Sequence, residues 1–138
     1  MFATGIGIPI MAALNSGLGQ QLASPAAATF LLFVVGLALA SAVLLIAGQP
    51  DWSKLTFERP WLFIGAAFIL FYALSITWAA PRIGIGNAVF FVLLGQLVAA
   101  TAIDHFGWIG AVKFEITGRR ALGLAVMALG VYLARRPA

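Results

Sequence analysis

Five long apolar segments, separated by short polar stretches, follow one another along the chain. Each is as long, or nearly as long, as the roughly 20 residues that a helix needs to cross a bilayer core about 30 Å thick. The pattern therefore predicts an all-α integral membrane fold, with five transmembrane helices in a single transmembrane domain over residues 1–138. The predicted spans are residues 2–22, 26–48, 61–80, 83–103 and 119–135.

The fifth span has the weakest apolar pattern. Its uncharged core, residues 121–134, would form only about 21 Å of helix. Long basic side chains at both ends can extend toward the headgroups and complete a short span. The residues in question are Arg119, Arg120, Arg135 and Arg136.

Proline and glycine mark the boundaries of the middle spans. Ser24 and Pro25 are residue types favoured at the N-cap and at the first position of a helix, so they predict the start of the second span. Pro81 is predicted to end the third span, because proline lacks the N–H that a helix interior requires. Gly84 and Gly86 then predict a tight turn at the entry to the fourth span.

Composition agrees with a membrane protein and excludes several other classes. Hydrophobic residues make up 63% of the chain and charged residues 9%, against roughly 25% charged in soluble domains. The net charge of +4 comes from a few scattered basic residues, so nucleic-acid binding is not expected, and contact with anionic lipid is. Cysteine is absent from the sequence, and so are phosphate-loop, hydrolase and metal-ligand motifs. We therefore expect neither an enzyme nor a cofactor or metal site.

The basic residues favour neither side of the membrane strongly. With five spans, the face that carries the N-terminus has five of them, and the opposite face has three, Arg82, Arg135 and Arg136. Because a Lys/Arg excess sets orientation, so small a difference predicts insertion in both senses. A single orientation with an unrelated or paralogous partner is the alternative. The sequence has no internal repeat, so any inverted symmetry has to come from a second chain.

Four polar or aromatic residues within the spans are candidates for substrate contact. Asn15 lies in a first span interrupted by Pro9 and by glycines, which is predicted to lie inside the bundle, and Gln96 is near the middle of the fourth. Tyr72 and Trp78 could form an aromatic wall for a cation or an apolar ligand. The alternatives are hydrogen bonds between helices for the amides, and packing or interfacial anchoring for the aromatic rings.

Ionisable residues occur only toward the ends of the spans. Asp104 and His105, the only histidine, form a candidate proton-exchanging pair at a mouth of the pathway. The structural alternative is a hydrated helix end that contacts the next loop. Arg82 follows Pro81 and suits either phospholipid headgroup contact or gating of an entrance.

The order of several motifs resembles the YdcZ-like family of inner-membrane proteins over nearly the whole chain. These motifs are Asn15 in a glycine-rich first helix, Ser24-Pro25, Pro81-Arg82-Ile83-Gly84, Gly95-Gln96, Ile103-Asp104-His105-Phe106-Gly107 and Arg120 through Gly123. The family is placed in the drug/metabolite transporter superfamily, whose larger members resemble two five-helix halves fused in opposite orientations. The resemblance implies that this chain is one such half of an exporter in the bacterial inner membrane. Its implied partner is a second copy of itself, or an oppositely oriented paralogue.

These observations together favour a subunit that moves a small solute by alternating access, as an antiparallel homodimer. A dual-topology channel is one alternative, and would conduct without coupling to a counter-ion. A structural or accessory membrane subunit that transports nothing is another, and is consistent with spans that have no ionisable group at their centres.

Overall fold

The computed structural model describes residues 2–134. Within that range all regular secondary structure is helical, and there is no β-strand. The five α-helices are α1 (Phe2–Gln21), α2 (Pro25–Ala47), α3 (Gly65–Ile83), α4 (Ile85–Phe106) and α5 (Gly118–Ala134). Short 3-10 helices lie at Trp52–Lys54, Pro60–Ile64 and Trp108–Gly110.

Four helical segments are long and apolar enough to cross a membrane. They are α1, α2, the continuous segment Pro60–Ile83 that contains α3, and α4. The prediction of an all-α fold is thereby confirmed for residues 2–134. With 17 residues and a length of about 25 Å, α5 is not one of the four, and its crossing stays a prediction. Arg135 and Arg136, assigned to that span's end, lie outside the described residues.

The prediction that Pro81 ends the third span is wrong. Helix α3 continues through Pro81 to Ile83. Proline retains helical φ and removes only one donor, so a helix near its end can tolerate it. The helix stops instead at Gly84, whose φ of 84° is strained for any residue with a Cβ.

Helix α4 extends beyond the predicted span by about a turn. Asp104 and His105 are therefore helical rather than part of the connecting loop. Gly107 ends the helix with φ 65°, and its N–H donates to the carbonyl of Ile103. This left-handed C-cap explains why the helix stops at Phe106.

The chain divides into two compact units, Met1–Arg82 and Ile83–Ala138. In unit one, α1 and α2 form a hairpin, and the Ser24 hydroxyl caps α2 by accepting from the Ala27 N–H at 3.1 Å, as the sequence predicted. Its buried apolar side chains, within residues 2–82, are Ile76 and the alanines Ala12, Ala28, Ala73 and Ala80. Small residues of this kind let membrane helices approach closely.

Helix α1 is buried along one stripe only. Ala12, Asn15, Ser16 and Gly19 form that stripe, whereas Leu14 remains 71% exposed. Within a single chain α1 is thus buried along this stripe and exposed over the rest of its surface, so the expectation that the first span lies inside a bundle stays a prediction.

The loop between α2 and α3 is exposed and charged. Asp51 caps the short helix Trp52–Lys54 by accepting from the Ser53 backbone N–H. The hydroxyl and the N–H of Ser53 both donate to this carboxylate and lower the pKa of Asp51 below its ordinary value. The loop therefore carries its charges in water, as an extramembrane segment should.

Candidate functional site

A hydrogen bond between α1 and α3 forms the polar centre of unit one. The Asn15 side chain donates from Nδ2 to Oγ1 of Thr77 at 2.6 Å. Asn15 is 4% exposed and Thr77 is 1% exposed. Since hydrocarbon cannot satisfy a free amide, this bond is what lets α1 carry an asparagine within the membrane.

Two residues beside this bond set the approach of the helices. A Cβ built on Gly19 would lie 2.9 Å from Cγ2 of Thr77, so only glycine fits this contact without a shift. Pro81, one turn after Thr77, has no N–H to donate to the Thr77 carbonyl. The helical ladder of α3 is thus interrupted next to the residue that holds Asn15.

Two openings reach the bonded residues. A cavity of ≈ 380 Å³ lies at the Pro81 end of unit one and touches Thr77, and a groove of ≈ 280 Å³ touches Asn15. The cavity is also lined by polar Gln20 and Arg82, whereas the rest of the groove is apolar. Thr77 therefore lies at the first opening and Asn15 at the second, and of the two openings the first has more polar side chains in its lining.

Tyr72 does not join the Asn15–Thr77 bond. It lines a separate apolar groove of ≈ 440 Å³, together with Met11, Gly36 and Ala40. Within residues 2–134, the buried Tyr72 hydroxyl has no hydrogen-bond partner, and neither does that of Thr29. Each is a buried polar atom for which the described residues provide no hydrogen bond.

Trp78 is engaged by Arg82, one turn later on the same helix. The guanidinium carbon lies 4.1 Å from the centre of the indole ring, and Nη1 donates to the Trp78 carbonyl. Both side chains are exposed. Arg82 also lines the cavity of ≈ 380 Å³ at this end of α3.

Gln96 belongs to unit two and lies in the middle of α4. Its side chain is exposed and makes no hydrogen bond within the described part of the chain. An amide in that position needs a polar partner that lipid tails do not offer. Asn15 finds such a partner in its own chain, and Gln96 finds none among residues 2–134.

Asp104 and His105 both contact the segment that leads into α5. Asp104 Oδ2 pairs with Nη2 of Arg120 at 2.6 Å, and its carbonyl accepts from the Phe114 N–H at 2.8 Å. His105 Nδ1 accepts from the Ile116 N–H at 3.2 Å. These contacts hold the loop against the end of α4. This arrangement is the one expected if Asp104 and His105 form a hydrated helix end that contacts the next loop.

Arg120 is the residue that sequence reasoning did not connect to this cluster. The sequence did contain an indication of this contact. The loop reverses the chain and brings the end of α4 close to the start of α5. Opposite charges at those two ends, Asp104 and Arg120, can then meet on one side of the membrane.

Metal ligation has no support in the part of the chain that the structure describes. No group of three or more His, Asp or Glu side chains there could hold an ion.

Comparison with known proteins gives a family for the chain. Residues 1–133 of the 138 match the family described as "Putative inner membrane exporter, YdcZ". The chain belongs to this family. No curated protein matches the sequence significantly, and neither does any solved structure.

Membership in the YdcZ family confirms the resemblance drawn from the motifs. It also agrees with a helical membrane protein of the transporter class, since the family is described as an inner membrane exporter. The roles of individual residues do not follow from it and are proposals.

Proposed function

We propose that the chain is one subunit of a transporter that inserts in both orientations and pairs antiparallel with a second copy. The pair moves a small solute across the bacterial inner membrane by alternating access, with all five helices crossing as one transmembrane domain. Membership in the exporter family supports the transporter class.

The observation that carries the proposal is the Asn15–Thr77 bond beside the interruption in α3. Interrupted membrane helices are where transporters commonly place their substrate sites, because unpaired backbone groups there can bind a ligand. The carbonyl of Thr77 lacks the donor that Pro81 would have supplied, and a cavity of ≈ 380 Å³ reaches both residues. A solute entering this cavity would lie beside Thr77, Pro81 and the side-chain amide of Gln20, with Asn15 bonded to Thr77 behind them.

The charge distribution supports the antiparallel pair. Five basic residues against three give a weak orientation signal. Two copies inserted in opposite senses would restore the two-fold axis in the membrane plane on which many transporters are built.

The remaining candidates take places around this centre. Asn15 and Gln96 line the middle of the pathway, and Tyr72 and Trp78 supply aromatic walls for a cation or an apolar ligand. Asp104, His105 and Arg82 belong to the mouths, and an inverted pair would present each of them on both sides.

Flux in liposomes tests the transport proposal. Purified protein is reconstituted and assayed for uptake of a panel of small cations, amino acids and sugars, with and without a proton gradient. We expect saturable uptake that Asn15→Leu abolishes and that Ser41→Ala, on the exposed surface of α2, leaves unchanged. Flux that never saturates and ignores the gradient would instead indicate a channel, and absence of flux for every solute would favour an accessory subunit.

A further inference from the structure

Gln96 occupies the centre of α4. The 22-residue helix divides into two equal halves, Ile85–Gly95 and Gln96–Phe106. Its amide therefore lies within about 1 Å of the midpoint along the helix axis. When two identical helices pack antiparallel around a two-fold axis at mid-depth, the midpoint of one faces the midpoint of the other.

The chemistry of the side chain suits contact with its own copy. A primary amide has two N–H donors and a carbonyl acceptor, so two such groups can each donate to the other. Gln96 is exposed and makes no hydrogen bond within the described residues of its own chain. An amide without a hydrogen-bond partner in hydrocarbon costs several kcal/mol of free energy, as an order of magnitude. A hydrogen bond to any polar partner would remove that cost.

The surface around Gln96 permits close approach. Residues three or four positions away share its face of the helix, and of these Ala99 and Ala100 are small and exposed. Gly95, at the edge of that face, has nothing within 4 Å of a built Cβ. A second helix can therefore come near enough for the two amides to meet.

We propose that α4 packs against α4 of a second, oppositely inserted copy, and that the two Gln96 side chains are hydrogen-bonded to each other at the centre of the membrane. This interface rests on the antiparallel pairing proposed above. It adds the helix, the register and the polar contact that hold the pair together.

Disulfide cross-linking tests the register, because the natural chain contains no cysteine. With Gln96 opposite its copy, Leu93 of one chain and Ala100 of the other are offset by about 1.5 Å along the axis. Two copies of Leu93 would be about 9 Å apart along the axis, and two copies of Ala100 about 12 Å. A disulfide requires Cα atoms within about 7 Å, so only the mixed pair can form.

The experiment expresses Leu93→Cys and Ala100→Cys chains, with different tags, separately and together in native membranes, followed by mild oxidation. We expect a mixed-tag disulfide dimer when both are present and little dimer when either is alone. Gln96→Cys should cross-link to itself. Val98→Cys lies at similar depth on the opposite, equally exposed face of α4 and should not cross-link.

A second measurement follows the amide itself. Gln96→Leu keeps the size of the side chain and removes its polar groups, so the dimer in detergent should dissociate about 3- to 20-fold more readily. A dimer that is unchanged by Gln96→Leu would overturn the contact between the two amides.

The outcomes separate this interface from the proposed function. If a cysteine in the loop at 49–59 is labelled from both sides of the membrane but the mixed pair does not cross-link, the α4 interface is wrong and dual insertion stands. If Leu93→Cys cross-links efficiently to itself, the helices are parallel, and both the interface and the antiparallel transporter are wrong.

Discussion

Substituting alanine for Gly19 tests the contact between α1 and α3 most directly. The added methyl carbon would lie 2.9 Å from Cγ2 of Thr77, 3.6 Å from Cα of Pro25 and 3.7 Å from Cβ of Ala28. Only the first of these is shorter than an ordinary carbon contact of about 3.5 Å. Thr77 must therefore move by about 0.6 Å, or rotate and lose its bond to Asn15.

The expected cost follows from the packing. Forcing one extra methyl group into a close-packed contact destabilises a protein by about 1–3 kcal/mol. Alanine also favours a helix over glycine by about 0.5–1 kcal/mol, which partly offsets that cost. Gly17→Ala should show only this gain in helix propensity, because nothing lies within 4 Å of a Cβ built on Gly17. Gly19→Ala should therefore be about 1–3 kcal/mol less stable than Gly17→Ala.

The assay is unfolding of the purified protein by SDS in mixed micelles, followed by circular dichroism. Each glycine variant is measured in the natural background and in Thr77→Ser, which removes Cγ2 and keeps the hydroxyl that binds Asn15. The difference between the two alanine variants should disappear in the Thr77→Ser background. If the two variants are equally stable with threonine in place, or differ equally in both backgrounds, α1 and α3 do not meet as described.

Three further predictions concern a helix cap, an ion pair and orientation. Ser24→Ala removes the N-cap of α2 and should lower the free energy of unfolding in the same titration by about 1 kcal/mol, and no change would contradict the cap. Arg120→Gln breaks the half-exposed pair with Asp104 and should weaken the start of α5 by about 0.5–1 kcal/mol, seen as faster amide exchange over residues 111–117. Arg119 has no ion-pair partner in the described part of the chain, so Arg119→Gln should leave that exchange unchanged. Thr56→Lys raises the basic count on its face from five to six, and should shift the ratio of the two orientations about fivefold toward that face inside, if each charge contributes about 1 kcal/mol. An unchanged ratio in accessibility labelling would mean that these charges do not set the orientation.

The sequence predicted the helices better than it predicted their contacts. Apolar length alone located the four helices that are long enough to cross a membrane, and the Ser24-Pro25 pair located the start of α2. The end of α3 was placed too early, because one proline was treated as a stop when only its single missing donor matters near a helix end. A capping side chain that accepts a free backbone N–H therefore locates a helix boundary more firmly than a single proline does.

The candidate site was predictable in its residue types and not in its pairing. Asn15 had to have a partner in hydrocarbon, yet its partner Thr77 is 62 residues away, and no local pattern joins them. Asp104 was paired in expectation with its neighbour His105, whereas its carboxylate pairs with Arg120 across a loop. Such contacts depend on how helices pack, which periodicity alone does not determine.

The central claim is that the chain crosses the membrane in both senses. Thr56→Cys places a lone thiol in the exposed loop between α2 and α3, and a membrane-impermeant maleimide is applied to intact cells and then to opened membranes. Ala38→Cys, on the exposed surface within α2, is the control that should stay unlabelled from either side. We expect comparable fractions of the Thr56→Cys protein to be labelled from each side. Labelling from one side alone would contradict the account.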